Sequence, residues 1–306
     1  LLEIGAKAFG TSSIMIGDTT TGTIDAANYN TGLGVDTFEA LTTGDQNVAV
    51  GFASAKALTT GIQNVFVGDQ AGESSTTGTA NTFVGCESAG GADVTGAHNV
   101  GVGRKTLFDL TTGAQNVAIG RSALENNTTA DSNVAVGYQA LLANTTGHSN
   151  VSVGANALDA NTTGHSHTAV GFEALSANTT ADENSAFGYQ ALKANTTGSG
   201  NTALGRKTLF TNTTGNTNTA VGQGALLANT TGSTNVSVGY DSLLANTTGS
   251  DNVAVGDDAL KANTTASNNV AVGAKALVAN TTGTSNTAVG RDALAANTTA
   301  DQNTAM

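Results

Sequence analysis

Proline and tryptophan are missing from this chain of 306 residues, aromatic residues make up only 4% of it, and charged residues only 11%. An ordinary globular domain contains about 5% proline and about 25% charged residues. Proline cannot donate a backbone hydrogen bond, so its absence is typical of a chain whose N–H groups are committed to sheet ladders. The shortage of charge indicates surfaces that are stacked and lined by small residues.

Other shortages exclude classes of partner. Cys86 is the single cysteine, so no disulfide can form within the chain. No apolar run approaches the roughly 20 residues of a membrane span, and we expect no membrane insertion. The formal charge of −12 provides no basic stripe to neutralise phosphates, which argues against nucleic acid. Leu1 does not begin a signal peptide, and we expect the chain to be a piece of a longer protein.

The sequence does contain a repeat of 17 residues with the consensus N-[V/T]-A-V-G-x-x-A-L-x-A-N-T-T-G-x-x. We number its positions 1 to 17, with Asn133 and Asn150 at position 1. Residues 13–302 make 17 such units, with irregularities near residues 18–29 and 86–98. Residues 303–306 begin a further unit, and residues 1–12, which include IG-AKAF, are interpreted as a clipped or incoming coil.

Four columns of the repeat predict structural roles. The apolar side chains of positions 4 and 9 are predicted to form the core: Val136, Leu141, Val153, Leu158, Val170, Leu175, Val221 and Leu226. Glycine at position 5 is predicted to end a strand, because it tolerates a positive φ and a close backbone: Gly137, Gly154, Gly171 and Gly188. Asparagine at position 12 is predicted to form a hydrogen-bonded ladder from coil to coil: Asn144, Asn161, Asn178 and Asn195.

The pattern predicts an all-β fold. An internal glycine and the N-T-T-G break leave no helix near the roughly 12 residues needed for marginal stability. Positions 1 to 4 alternate with period 2, positions 8 to 12 form a second short extended run, and T-T-G supplies a turn. We therefore expect a parallel β-solenoid, or β-roll, of about 17 coils with a 17-residue repeat.

Position 3 predicts self-association. It points opposite to positions 2 and 4, yet it is small and mostly apolar, as at Ala220 and Ala254. A core of one valine and one leucine per coil is also thin for the backbone entropy that folding costs. Both faces of the first strand are therefore expected to be buried, one inside the coil and one against other copies of the chain.

The repeat N-T-A-V-G-x-x-A-L followed by x-A-N-T-T-G resembles the repeats of bacteriophage tail-fibre proteins, many of which continue into a self-cleaving intramolecular chaperone. Its N-[V/T]-A-V-G core is also similar to the N-S-V-A-I-G head repeats of trimeric autotransporter adhesins. Those heads are left-handed parallel β-rolls, so the resemblance implies left-handed winding and a homotrimer. The 17-residue unit is longer than the adhesin repeat, with ANTTG as the extra loop.

Candidate chemistry in the sequence is sparse. Each position-12 asparagine also satisfies the N-x-[S/T] glycosylation pattern, an alternative to the ladder. His165 and His167 form an H-x-H that would offer six imidazoles around a threefold axis, a weak candidate for a transition-metal site. No Ser-His-Asp or paired-carboxylate set recurs, so we expect no enzyme activity and no cofactor.

The functional expectation is a structural shaft: a viral, that is phage, tail-fibre or spike segment that supports host attachment from a virion or extracellular surface. Its partners would be itself, other fibre or virion proteins at the ends, and a host cell-surface receptor. One alternative is the head or stalk of a bacterial surface adhesin. Another is a repetitive surface that binds ice or glycan, because threonine recurs at positions 13 and 14; alternation of side chains allows only one of these columns on any one face.

Overall fold

The computed structural model describes residues 5–9, 13–17 and 26–306, which form two compact units, residues 1–150 and 151–306. These residues contain strands and turns. The strands are β1 (Gly5–Phe9), β2 (Ser13–Gly17), β3 (Thr31–Gly34), β4 (Val48–Val50), β5 (Val65–Val67), β6 (Thr82–Val84), β7 (Val100–Val102), β8 (Val117–Ile119), β9 (Val134–Val136), β10 (Val151–Val153), β11 (Thr168–Val170), β12 (Ser185–Phe187), β13 (Thr202–Leu204), β14 (Thr219–Val221), β15 (Val236–Val238), β16 (Val253–Val255), β17 (Val270–Val272), β18 (Thr287–Val289) and β19 (Thr304–Ala305).

Parallel pairing between successive repeats builds each unit. In the first unit Ala118 of β8 pairs with Ala135 of β9, and in the second unit Ala169 of β11 pairs with Ala186 of β12, each time 17 residues further along. The predicted β-solenoid of about 17 coils with a 17-residue repeat is therefore confirmed. Strand β19 pairs with β18 in the same register, so residues 303–306 do begin a further coil.

The first strand departs from the prediction. Gly5–Phe9 pairs antiparallel with Ser13–Gly17, with Gly5 opposite Gly17. A coil of the solenoid would pair in parallel, so the interpretation of residues 1–12 as a clipped or incoming coil is wrong for the part that the structure describes. Most of the irregularity predicted at residues 18–29 lies outside the described residues.

The unit between Asn81 and Asn99 contains the predicted extra residue. Thr82 of β6 pairs with Val100 of β7, a spacing of 18, and the next pair of strands returns to 17. The residues between these strands are turns and bends. The insertion is tolerated because it lengthens the irregular segment between β6 and β7 and leaves the strand register intact.

Each regular coil has one strand, at positions 2 to 4, and the predicted second extended run at positions 8 to 12 is wrong. Positions 6 to 11 are turns because the backbone alternates through the left-handed region, as at Gln190 (φ 57°) and Leu192 (φ 52°). This conformation costs roughly 1–2 kcal/mol per non-glycine residue. The turn still pairs with its neighbours: the N–H of Leu175 donates to the carbonyl of Ala191 at 3.0 Å.

The central residue of each strand, at position 3, points into the interior of the coil. The position-9 leucines of the predicted core are fully buried: Leu141, Leu158, Leu175 and Leu226. The position-4 valines are not, and their assignment to the core is wrong: Val136, Val153, Val170 and Val221. Val153, for example, is 36% exposed. Side chains alternate along a strand, and here the fully buried position 3 points inward, so positions 2 and 4 point outward.

Positions 3 and 9 share one space inside the coil. Most coils fill it with alanine and leucine, but Phe66 at position 3 is matched by Gly72 at position 9. A Cβ on Gly72 would lie 2.7 Å from the Cδ1 of Phe66. The coil of Gly32 reverses the arrangement, with Phe38 at position 9 and its Cδ2 3.1 Å from where a Cβ of Gly32 would lie. A large side chain at one of these two positions is therefore accompanied by a small residue at the other position of the same coil.

Glycine at position 5 ends each strand, as predicted. Gly188 has φ 136°, and a Cβ built on it would lie 2.5 Å from the carbonyl oxygen of Gly205 in the next coil. Gly137, Gly154 and Gly171 have similar φ values. Both the conformation and the close approach of the neighbouring backbone therefore require glycine.

Candidate functional surfaces

The position-12 asparagines form the predicted ladder. Asn144, Asn161, Asn178 and Asn195 are fully buried. The Nδ2 of Asn178 donates to the Oδ1 of Asn161 at 2.9 Å, and the Nδ2 of Asn195 donates to the Oδ1 of Asn178 at 3.1 Å. In the first unit, Asn144 makes the same bond to Asn127 at 3.0 Å. These amide groups lie inside the coil, so the glycosylation reading does not fit them. The ladder satisfies buried polar groups that would otherwise be costly.

A second ladder runs along position 1. The backbone N–H and the Nδ2 of Asn218 both donate to the Oδ1 of Asn201, at 3.0 and 3.1 Å. His167 replaces asparagine here and keeps the function of the column. Its Nδ1 accepts the backbone N–H of Asn184 at 3.1 Å and its Nε2 lies 2.6 Å from the carbonyl oxygen of Ala181, which fits a neutral imidazole with the proton on Nε2. Burial lowers the pKa of His167 below its ordinary value.

The H-x-H pair does not form a metal site. His167 points into the coil and is committed to the ladder, whereas His165 is partly exposed and its Nδ1 lies 2.8 Å from the Oδ1 of Asp182. One imidazole therefore lies inside the coil and the other at its surface, so six imidazoles cannot face a threefold axis. In the part of the chain that the structure describes, no three His, Cys, Asp or Glu side chains are grouped to hold a metal ion.

The threonine columns do not form a two-column array. The position-13 hydroxyls donate to backbone carbonyls of the next coil, as from Thr179 to Thr196 at 3.3 Å and from Thr230 to Thr247 at 3.0 Å. The position-14 threonines are exposed, as at Thr180 and Thr231. A single exposed column is a poor match for a two-dimensional lattice such as ice.

Positions 2 and 4 form an outward strand face that recurs in successive coils. From Thr31 to Val289, these positions carry Val, Thr, Ile, Leu, Ser and Phe, and never a charge. The side chains are partly exposed in a single chain, and Leu204 reaches 50%. Sequence reasoning had placed position 4 inside, so this surface was missed. The size of the position-9 leucine, which needs the small position-3 residue beside it, was the signal that could have shown it.

A shallow depression of about 380 Å3 interrupts the regular surface of the second unit. Positions 7 and 10 of successive coils line it, with Asn156 and Asp159 at one end and Lys193 and Phe210 at the other. The Nζ of Lys193 lies 2.6 Å from the Oε2 of Glu173, which also accepts the Nε2 of Gln190 at 2.8 Å. Lys193 and then Gln190 lower the pKa of Glu173.

The other end of the depression holds unpaired acceptors. The Oδ1 atoms of Asn156 and Asp159 are buried and have no hydrogen-bond partner. Burial, followed by a smaller effect of Glu173, raises the pKa of Asp159, although the backbone N–H groups of Asp159 and Ala160 oppose the shift. Sequence reasoning missed this cluster because it is spread over four repeats at positions that vary. Reading positions 7 and 10 down their columns would have found it.

Aromatic side chains stack on the outside of the same coils, at position 6. Phe172 and Tyr189 are stacked with ring centroids 5.6 Å apart and are 43% and 44% exposed. The guanidinium of Arg206 lies 5.9 Å from the centroid of Tyr189. Phe172 and Tyr189 directly precede Glu173 and Gln190, so the aromatic stack and the depression belong to the same repeats.

A comparison with protein-family models and with curated proteins finds no match. Among the described residues, no helix has the length and apolar character needed to cross a membrane.

Proposed function

We propose that the chain is the structural shaft of a fibre, most specifically a phage tail-fibre or spike segment at a virion or extracellular surface. In this proposal three copies wind left-handed and associate side by side through their outward strand faces. Other fibre or virion proteins join the shaft at its ends, and the assembled fibre supports attachment to a host receptor. The handedness, the number of copies and the setting come from the resemblance of the repeat.

The observation that carries the proposal is the outward strand face. A surface of two uncharged columns repeats at the spacing of parallel strands, about 4.8 Å. A partner packs against it along its length only if the partner repeats at the same spacing, and a second copy of the chain meets that condition by construction. Fully burying a valine contributes about 1.5–3 kcal/mol, so completing the burial of a side chain that is one-third exposed adds roughly 0.5–1 kcal/mol.

The position of this face changes the expected interface. The sequence suggested contact between copies through position 3, but Ala220 and Ala254 are fully buried within their own coils. Copies of the chain therefore meet, in this proposal, through positions 2 and 4. Each coil buries its own core and presents the same outer face. Such coils are suited to a shaft, in which each coil bears the same mechanical load as the next.

The test is a charged substitution on β15. Val236→Glu with Val238→Glu places two carboxylates on the outward face, where they would face copies of themselves across the interface. We expect the unmodified chain to have three times its 30.1 kDa mass in light scattering, and the double variant to dissociate to 30.1 kDa with unchanged circular dichroism.

The matched control is Ser233→Glu with Thr234→Glu, which adds the same charge at positions 16 and 17. Acidic residues already occupy these positions at Asp182 and Glu183, so this variant should remain a trimer. An unmodified chain that is monodisperse at 30.1 kDa when concentrated would refute self-association. A trimer that survives the β15 substitutions would refute this face as the interface.

A further inference from the structure

The depression between residues 156 and 210 interrupts the repetitive surface of the second unit. Four buried side-chain polar atoms in the described part of the chain have no hydrogen-bond partner, and two of them, the Oδ1 atoms of Asn156 and Asp159, belong to residues that line this depression. A buried acceptor without a donor costs about 1–3 kcal/mol, and a bound molecule that supplies the donor removes that cost. Two such acceptors at one end of the depression select a ligand with two hydrogen-bond donors.

The charges around the depression restrict the ligand further. Lys193 lines it, so a cationic ligand would meet an ammonium group. Asp159 and Glu173 line it too, which disfavours an anion. A neutral molecule that carries several hydroxyl groups satisfies the acceptors without either repulsion.

The remaining lining adds contacts of the kind that a sugar ring uses. Phe210 supplies an apolar wall, and Ser176 supplies a hydroxyl that can donate or accept. The volume of about 380 Å3 lies at the lower end of the roughly 300–1,000 Å3 typical of small-molecule sites. It therefore suits one or two sugar rings.

From this geometry we infer that residues 156–210 form a carbohydrate-binding site, in which ligand hydroxyls donate to the Oδ1 atoms of Asn156 and Asp159 while a sugar ring packs against Phe210. The site goes beyond the proposed shaft and does not depend on it, because its lining residues lie at positions 7, 10 and 11 of the repeat and not on the outward strand face. Failure to bind a sugar and failure to form a trimer are separate observations.

The test uses the full chain and a panel of methyl glycosides of glucose, galactose, mannose and N-acetylglucosamine. We expect saturation-transfer NMR to detect at least one of them at millimolar concentration. Asp159→Leu should weaken that binding at least about tenfold, because it removes one acceptor of a charge-assisted hydrogen bond. Leucine already occupies position 10 at Leu142, Leu227 and Leu244, so the variant should keep the fold, with an unchanged circular dichroism spectrum.

The matched control is Lys261→Leu, which puts the same side chain at position 10 of a coil outside the depression and should leave binding unchanged. Asn156→Ala is a second variant that removes the other acceptor, and it should also weaken binding at least about tenfold. The inference is overturned if no glycoside gives a signal, or if the Asp159 and Asn156 variants bind as well as the unmodified chain. It is also overturned if methylammonium, tested as a cationic probe, binds in the depression in place of the glycosides.

Discussion

Ala220→Phe tests the exchange of size between positions 3 and 9. Ala220 and its partner Leu226 are both fully buried in one coil. Phenylalanine occurs naturally at this position at Phe66, where position 9 is Gly72, and at Phe83, where position 9 is Ala89. One carbon added to Gly72 would lie 2.7 Å from the ring of Phe66. Phenylalanine at residue 220 therefore meets a leucine for which no space remains, and we expect a loss near the upper end of the roughly 1–3 kcal/mol typical of overpacking.

Leu226→Gly should recover much of the stability that Ala220→Phe loses. Alone it leaves a cavity and should cost about 2–5 kcal/mol, partly offset because glycine relieves the positive φ of 53° at this residue. Together the two substitutions reproduce the natural Phe66 and Gly72 pair. We expect the double variant to be more stable than the sum of the single variants by about 2–3 kcal/mol, near the top of the range for residues in contact.

The measurement is a double-mutant cycle, with the free energy of unfolding taken from urea denaturation of the full chain. Ala220→Phe with Leu260→Gly is the matched control, since it makes the same two changes in coils that do not adjoin. The changes that these two substitutions make in the free energy of unfolding should add. Additive energies for the Ala220 and Leu226 pair would refute the shared space. If Ala220→Phe dissociated the proposed trimer without any coupling to Leu226, position 3 would be an interface after all.

Two further outcomes follow from the ladders and the repeat. Because the pKa of His167 is lowered in the folded chain, the unfolded chain binds a proton at this histidine at a higher pH than the folded chain does. The histidine therefore does not reduce the free energy of unfolding above about pH 6.5, and it reduces that energy as the pH falls from there toward the folded pKa. His167→Asn should remove this loss in urea denaturation at pH 5, whereas His148→Asn, at an exposed histidine, should not; equal acid sensitivity of both variants would contradict it. Deletion of residues 218–234 removes one whole coil and should preserve the circular dichroism spectrum and cooperative unfolding, whereas deletion of residues 218–225 should abolish both because it shifts every later column. The reverse result would exclude the solenoid register.

Part of this structure could be predicted from the sequence. The period fixes the register of the strands. The glycine at residue 188 indicates that the backbone of the next coil is close. Asn178 and Asn195 occupy a column whose polar side chains need hydrogen-bond partners at the same spacing. The direction of the strand could not be predicted in this way. Alternation shows that Ala220 and Val221 face opposite ways, but it does not show which one faces inward when both are apolar.

Two features depend on contacts between repeats that the period does not reveal. Leucine is uncommon at positive φ, so the conformation of Leu192 has no signature in the sequence. The depression arises because Asp159, Glu173 and Lys193 come from three different repeats and interrupt an average pattern. A consensus describes what the coils share, and a binding site depends on where they differ.

The position-12 ladder also has an electrical consequence. In residues 151–306 every one of its amide groups points the same way, with Nδ2 donating to the coil 17 residues earlier, from Asn178 to Asn297. Aligned amide dipoles cancel within a column and leave partial charges at its two ends, as in an α-helix. Within these residues the column is therefore electropositive toward lower residue numbers and electronegative toward Asn297. The second unit, which has no helix in its described residues, thus acquires from its side chains a dipole along this column.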